Sequence, residues 1–148
     1  MIPSEFEHHF RGVVRVMFDW SEFSKSAWPI ELCYFSLHEH ADRIYTPWYA
    51  REDGSVCGYN SPDARPQSVA AVAKNSALLA YHGVRKTPHP ESVSVVPAYR
   101  LNHDSILLLD GNHRAVSSQV AVSKAGIAAF IVNGPIDERV LADLAHWV

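Results

Sequence analysis

Hydrophobic and polar positions alternate first between Arg11 and Trp20. Val14, Val16 and Phe18 interleave with Val13, Arg15 and Met17, and β-branched residues dominate, so the stretch predicts a strand. Trp28-Pro29 marks a break. Ile30 to Leu37 is apolar and aromatic, and its periodicity fits a strand or a short helix. Ala41 to Glu52 carries Tyr45, Trp48 and Tyr49, and Asp53-Gly54 signals a turn. Cys57 to Pro66 has loop composition. Pro66 is then suited to open a helix in which Val69, Val72, Ala73, Leu79 and Ala80 share one stripe, with Gly83 as its stop.

The second half reads more sharply. Arg85 to Pro90 is a loop rich in proline and basic residues. Val93, Val95 and Ala98 to Leu101 predict a strand whose Pro97 suggests an edge position or a bulge. Asn102 to Ser105 has turn chemistry, so this strand and the continuous apolar run Ile106 to Leu109 predict a hairpin with a buried central strand. Asp110-Gly111 ends that run. A helix is expected from about Asn112 to Lys124, with Val116 and Val120 one turn apart and Gly126 as its stop. Ile127 to Val132 predicts another strand. Asp137 is placed to cap a final helix carrying Val140, Leu141 and Leu144. This order of strands and helices predicts a mixed α/β or α+β fold.

At 148 residues the chain is expected to form a single domain, and its 47% hydrophobic content suffices for a core. A net charge of −3 disfavours a broad nucleic-acid footprint and nuclease chemistry. Cys33 and Cys57 form no C-x-x-C pair and no disulfide framework, although one bridge remains open, and a reducing cytoplasm is the expected setting. The acidic N-terminus does not read as a signal peptide. No apolar run approaches the roughly 18 residues that a membrane span needs.

The segment Asp110-Gly111-Asn112-His113-Arg114 carries the most chemistry. A turn from strand to helix leaves backbone N–H groups free at a helix N-terminus, where the dipole also favours negative charge. Gly111 lets the backbone approach a ligand, Arg114 can pair bidentately with an oxyanion, and His113 can donate from a ring nitrogen. Asp110 can cap, orient His113, hold Mg²⁺ or act as a base. The bland reading is a tight turn with a capped helix.

Strand, turn, strand ending in Asp-Gly-Asn-His-Arg, helix and strand, in that order from Ser92 to Val132, resemble the ParB/sulfiredoxin superfamily. The helix around Val69 to Tyr81 resembles the one that precedes the hairpin there. The likeness covers roughly the last half of the chain and does not reach residues 1 to 65. It implies a ParB/sulfiredoxin-like domain in which Gly111, Asn112, His113 and Arg114 cradle the phosphates of ATP or ADP, with Mg²⁺ as a possible companion.

Two branches of the family fit poorly. Sulfiredoxins place a nucleophilic Cys where this chain has Asn112. Chromosome-partitioning members carry a helix-turn-helix domain after the core, for which little chain follows here. The small stand-alone members remain, and kinases of free amino acids occur in the superfamily. The resemblance therefore implies a nucleotide- or phosphate-dependent enzyme that transfers a phosphoryl group to a small molecule. Asp110, His113 and Glu39 are its candidate catalytic residues. The alternatives are a non-catalytic nucleotide-binding module, or an enzyme that uses the pocket for another anionic metabolite.

The remaining candidates divide between chemistry and packing. A phosphoryl-transfer enzyme needs a carboxylate to orient its acceptor, and Glu31, Glu39, Asp42 and Glu52 all qualify. If extended, His38-Glu39-His40 would put two imidazoles on one face, short of the four ligands of a structural metal site, and no metal is expected. Tyr45, Trp48 and Tyr49 can stack on a ring or fill the core. Arg85-Lys86 can reach a phosphate or simply be solvated. Sequence leaves the oligomeric state open.

Overall fold

A computed structural model of the chain describes residues 1–85 and 93–148. The sequence reading of Lys86 to Pro90 lies outside the described residues. Helices α1 (Pro3–Phe10) and α2 (Trp20–Lys25) come first, followed by β1 (Ile30–Ser36), α3 (Leu37–His40) and β2 (Ile44–Ala50). Two short strands follow, β3 (Val56–Cys57) and β4 (Arg65–Ser68), then two short helices, α4 (Val69–Ala73) and α5 (Ser76–Tyr81). The described chain resumes with β5 (Val93–Arg100), β6 (Ile106–Leu108), α6 (Asn112–Val120) and β7 (Gly126–Val132), and a 3-10 helix spans Ala142–His146.

The strands form one seven-stranded mixed sheet in the order β1-β7-β5-β6-β2-β3, with β4 also on β2. The β2–β6 and β5–β7 pairs are parallel and the others antiparallel. Both faces of the central strands are covered, while Leu32 and Tyr34 of β1 and Val93 and Val95 of β5 stay exposed. Ala98, Ile106, Leu108, Ala129 and Ile131 pack with residues of α3 to α6. Their sequence neighbours Tyr99, Leu107, Leu109 and Val132 face the other way, onto Phe6, Phe10, Phe23 and Leu144. Burial on both faces explains why Ile106 to Leu109 shows no polar alternation.

Several expectations need correcting. Arg11 to Trp20 forms no strand, and its only pairing among the described residues is the isolated bridge Phe18–Leu141. The alternation there comes from Val14 and Phe18 pointing inward along an irregular segment. The helix expected from Pro66 is two helices. Pro66 belongs to β4, Ser68 Oγ caps α4 through the Ala71 N–H at 3.1 Å, and Asn75 Oδ1 caps α5 through the Leu78 N–H at 3.1 Å. Restarting the helix at Asn75 changes its phase, so Leu78 is buried and Ala80 exposed.

Pro97 sits in a central strand rather than at an edge. The β5–β6 ladder covers only Ala98 to Arg100, so Pro97 lies just past its end, where its carbonyl accepts the Leu109 N–H at 2.9 Å and a donor is not required. The helix α6 stops at Val120, with Val122 at φ +52°, and Gly126 opens β7 rather than ending the helix. Asp137 Oδ1 accepts the Arg139 N–H at 2.9 Å in a local turn, and the last helical segment, a 3-10 helix, begins only at Ala142. His38, Glu39 and His40 form a helical turn, which separates the two imidazoles that an extended chain would align.

Candidate functional site

The parallel neighbours β2 and β6 pair only at Ile44–Ile106 and Tyr45–Leu107, and then part. Beyond that point β6 runs into Asp110-Gly111. The ladder of β2 with β4 shifts register between Thr46 and Tyr49, which puts Pro47 and Trp48 in a bulge. Thr46, fully buried, holds the bulge: its Oγ1 donates to the Gln67 carbonyl at 2.9 Å and accepts the Trp48 N–H at 3.3 Å. A crevice at the carboxyl ends of parallel strands is where α/β sheets commonly bind ligands.

A cavity of about 340 Å³ occupies this crevice. It is lined by Leu109 to Arg114, by Pro47 with Trp48, and by Val13, Arg15 and Val16. Gly111 makes the turn possible. Its φ is +81°, and a Cβ there would lie 2.7 Å from Val96 Cγ1, so both conformation and space require glycine. The helix α6 starts directly after it, with its first N–H groups at the cavity.

Three charged side chains, Arg114, Arg15 and Asp110, line the cavity together with the neutral Asn112. Arg114 is exposed and donates from Nη1 to Ser94 Oγ at 3.2 Å. Arg15, also exposed, donates from Nη1 to the Gly12 carbonyl at 2.6 Å. Neither guanidinium has a carboxylate within ion-pair distance among the described residues. Asp110 is half-buried and is the one carboxylate among the described residues that line the cavity. Asn112 Oδ1 is buried without a hydrogen-bond partner among the described residues.

His113 is tied in a specific way. Its Nε2 lies 2.7 Å from the His82 carbonyl, and a carbonyl can only accept, so Nε2 carries the proton. Nδ1 is then an acceptor while the ring is neutral, and it can donate to an anion only when His113 is protonated. Its ring meets the Trp48 ring edge-on at 5.1 Å, and Trp48 stacks on His82 at 4.0 Å. Burial, then the neighbouring His113, holds the His82 imidazole below its ordinary pKa.

Of the residues singled out in the sequence, Asp110, Gly111, Asn112, His113, Arg114 and Trp48 meet at this cavity. Glu39 does not: it is exposed on α3 and lies outside the cavity lining. Glu31 pairs with Arg100, and Glu52 lies within 3.6 Å of Arg65 in a separate depression whose charges largely pair with one another. Tyr45 packs against Trp147, and Tyr49 donates to buried Asp143. Arg85 is exposed and its carbonyl accepts from Ser117 Oγ, while Lys86 lies outside the described residues. Both cysteines are free, and among the described residues no three His, Cys, Asp or Glu side chains cluster as metal ligands would.

Sequence reasoning missed Arg15 and Pro47. A lone arginine inside the apolar alternation from Val13 to Phe18 is the signal that could have found the first. Among the described residues no helix is long and apolar enough to cross a membrane. No family model, curated protein or solved structure matches this chain.

Proposed function

We propose that the crevice between β2 and β6 binds the phosphates of a nucleotide, and that the protein is a ParB/sulfiredoxin-like enzyme that transfers a phosphoryl group to a small molecule. One observation carries the reading: two arginines without carboxylate partners among the described residues, Arg15 and Arg114, converge with the N-terminus of α6 on one cavity. Unpaired guanidiniums beside free N–H groups suit an oxyanion. The box from Asp110 to Arg114 and its strand–helix setting support the family likeness.

The donor set fits phosphate, and Asp110 is the carboxylate available to a Mg²⁺ ion that the phosphates would share. The ion would supply charge neutralisation. Arg15, Arg114 and the backbone of Gly111 and Asn112 hold and neutralise the phosphates, and Trp48 with Pro47 walls off one side. Asp110 is also the carboxylate in the cavity lining that can orient an acceptor hydroxyl, whereas Glu39 lies outside that lining. Such catalysis rests on positioning and charge.

Calorimetry with ATP, ADP, CTP and inorganic phosphate, with and without Mg²⁺, tests the reading on wild type and on Arg114→Ala. Binding that the substitution abolishes is expected. Absence of binding by all four ligands overturns the reading. A non-catalytic nucleotide-binding module is the second reading, favoured by the single carboxylate among the described residues of the cavity. Asp110→Asn separates the two: it abolishes turnover in an enzyme, whereas a module has no turnover to lose.

A further inference from the structure

We propose that the depression on the far side of the Pro47–Trp48 ridge is a second subsite, one that takes an uncharged planar ring. This rests on the phosphate reading only for the position of the subsite beside an anion. The depression has a volume of about 380 Å³ and shares Pro47 and Trp48 with the anion cavity. Trp48, Tyr49, Tyr59, Tyr81 and His82 belong to its lining, and among the described residues no Lys, Arg, Asp or Glu lines it. Burial, then the neighbouring His113, lowers the His82 pKa and so favours its neutral imidazole. Each cavity lies near the small end of the roughly 300–1,000 Å³ of ligand pockets, and side by side they suit a ligand with a charged and a flat end.

Trp48 and Tyr49 are buried and form the base of the depression, while Tyr59 and Tyr81 are left for contact. Trp48 lies under His82 with planes 9° apart, and Tyr81 meets His82 edge-on at 5.0 Å. Tyr81 is 71% exposed and Tyr59 is 37% exposed, so neither is spent on the interior. Tyr49 is fixed by its hydrogen bond to Asp143. An uncharged wall of aromatic rings next to a cationic cavity discriminates by shape and polarity: a flat neutral group gains stacking, and a second charge finds no partner. The ring can belong to the phosphate-bearing ligand itself or to a separate acceptor.

The test titrates indole, adenosine, AMP and inorganic phosphate into wild type, Tyr81→Ala and Arg114→Ala, following the Trp48 indole N–H by NMR. Tyr81 is exposed, so its removal should leave the fold intact. Tyr81→Ala should weaken indole, adenosine and AMP by about tenfold and leave phosphate unchanged. Indole should also slow alkylation of Cys57, which lines the depression, without affecting Cys33. AMP binding far tighter than either adenosine or phosphate supports one ligand spanning both cavities. Independent, simultaneous binding of adenosine and phosphate supports a separate acceptor.

Equal affinities in wild type and Tyr81→Ala for the ring probes, or no binding of indole and adenosine together with no advantage of AMP over phosphate, overturn the proposal. Ring binding that Tyr81→Ala weakens, with no phosphate binding, sustains the subsite and overturns the phosphate reading alone.

Discussion

Trp48 and His82 stack with centroids 4.0 Å apart, joining the β2 bulge to the end of α5 beside the box. Burial, and then the neighbouring His113, lowers the His82 pKa. A histidine with a depressed folded pKa contributes stability above its unfolded value, near 6.5, and loses it as pH falls toward the folded value. Urea unfolding between pH 7.5 and 5.5 should therefore show a midpoint that falls with acid through this group. His82→Phe keeps a ring against Trp48 and should flatten that slope. An unchanged slope would show that His82 does not set it.

Gly111→Ala should be destabilising and should also damage the cavity. The residue would pay for a positive φ and for a Cβ 2.7 Å from Val96 Cγ1. The left-handed conformation alone costs about 1–2 kcal/mol, and the overlap adds to it. Denaturant unfolding should show a loss of about 2 kcal/mol or more. A loss below about 0.5 kcal/mol would mean that the turn relaxes freely.

Tyr49 O–H donates to Asp143 Oδ2 at 2.5 Å, and Asp143 is 5% exposed. Burial raises the Asp143 pKa although the Tyr49 hydrogen bond opposes the shift. A carboxyl whose folded pKa is raised stabilises the fold at low pH and loses that contribution as pH rises through the folded value. Asp143→Asn retains an acceptor for Tyr49 and removes the charge, so it should be more stable than wild type at pH 7, with the difference shrinking in acid. Tyr49→Phe leaves the carboxylate without this donor and should lose about 1–3 kcal/mol at pH 7. The opposite ranking of the two variants would refute this account of the pair.

Much of the second half was legible because local signals agreed there. Apolar continuity marked β6, Asp-Gly marked its end, and Val116 with Val120 marked α6. The first half was less legible, because tertiary placement overrode the pattern. Val14 and Phe18 alternate with exposed neighbours to meet the core, and no ladder follows from that. Asn75 looks unremarkable in a helical stripe, yet its side chain caps a new helix. Pro97 was misread because the length of the neighbouring ladder is not written in β5 itself. The box could be found as an anion-binding turn, but what faces it across the crevice could not. Arg15 and Pro47 are brought there by a turn after α1 and by a bulge in β2, and neither has a sequence signature strong enough to read alone.

Arg15 is therefore the sharpest test of the three-dimensional site as distinct from the box. It is exposed, and among the described residues its side chain hydrogen-bonds only the nearby Gly12 carbonyl, so Arg15→Ala should change stability by less than about 0.5 kcal/mol. Its loss should weaken phosphate binding by about 1 kcal/mol, roughly fivefold, since an exposed charge-assisted contact is partly screened. The effect should shrink between 50 and 500 mM salt, about the range over which screening closes in on the pair. Arg15→Lys should recover only part of the affinity, because a point charge replaces a two-pronged donor. The double variant Arg15→Ala with Arg114→Ala should lose more than either alone if both reach the same anion. Full phosphate affinity in Arg15→Ala would confine the site to the box and the α6 N-terminus, leaving the segment from Val13 to Val16 as a wall without a charge to contribute.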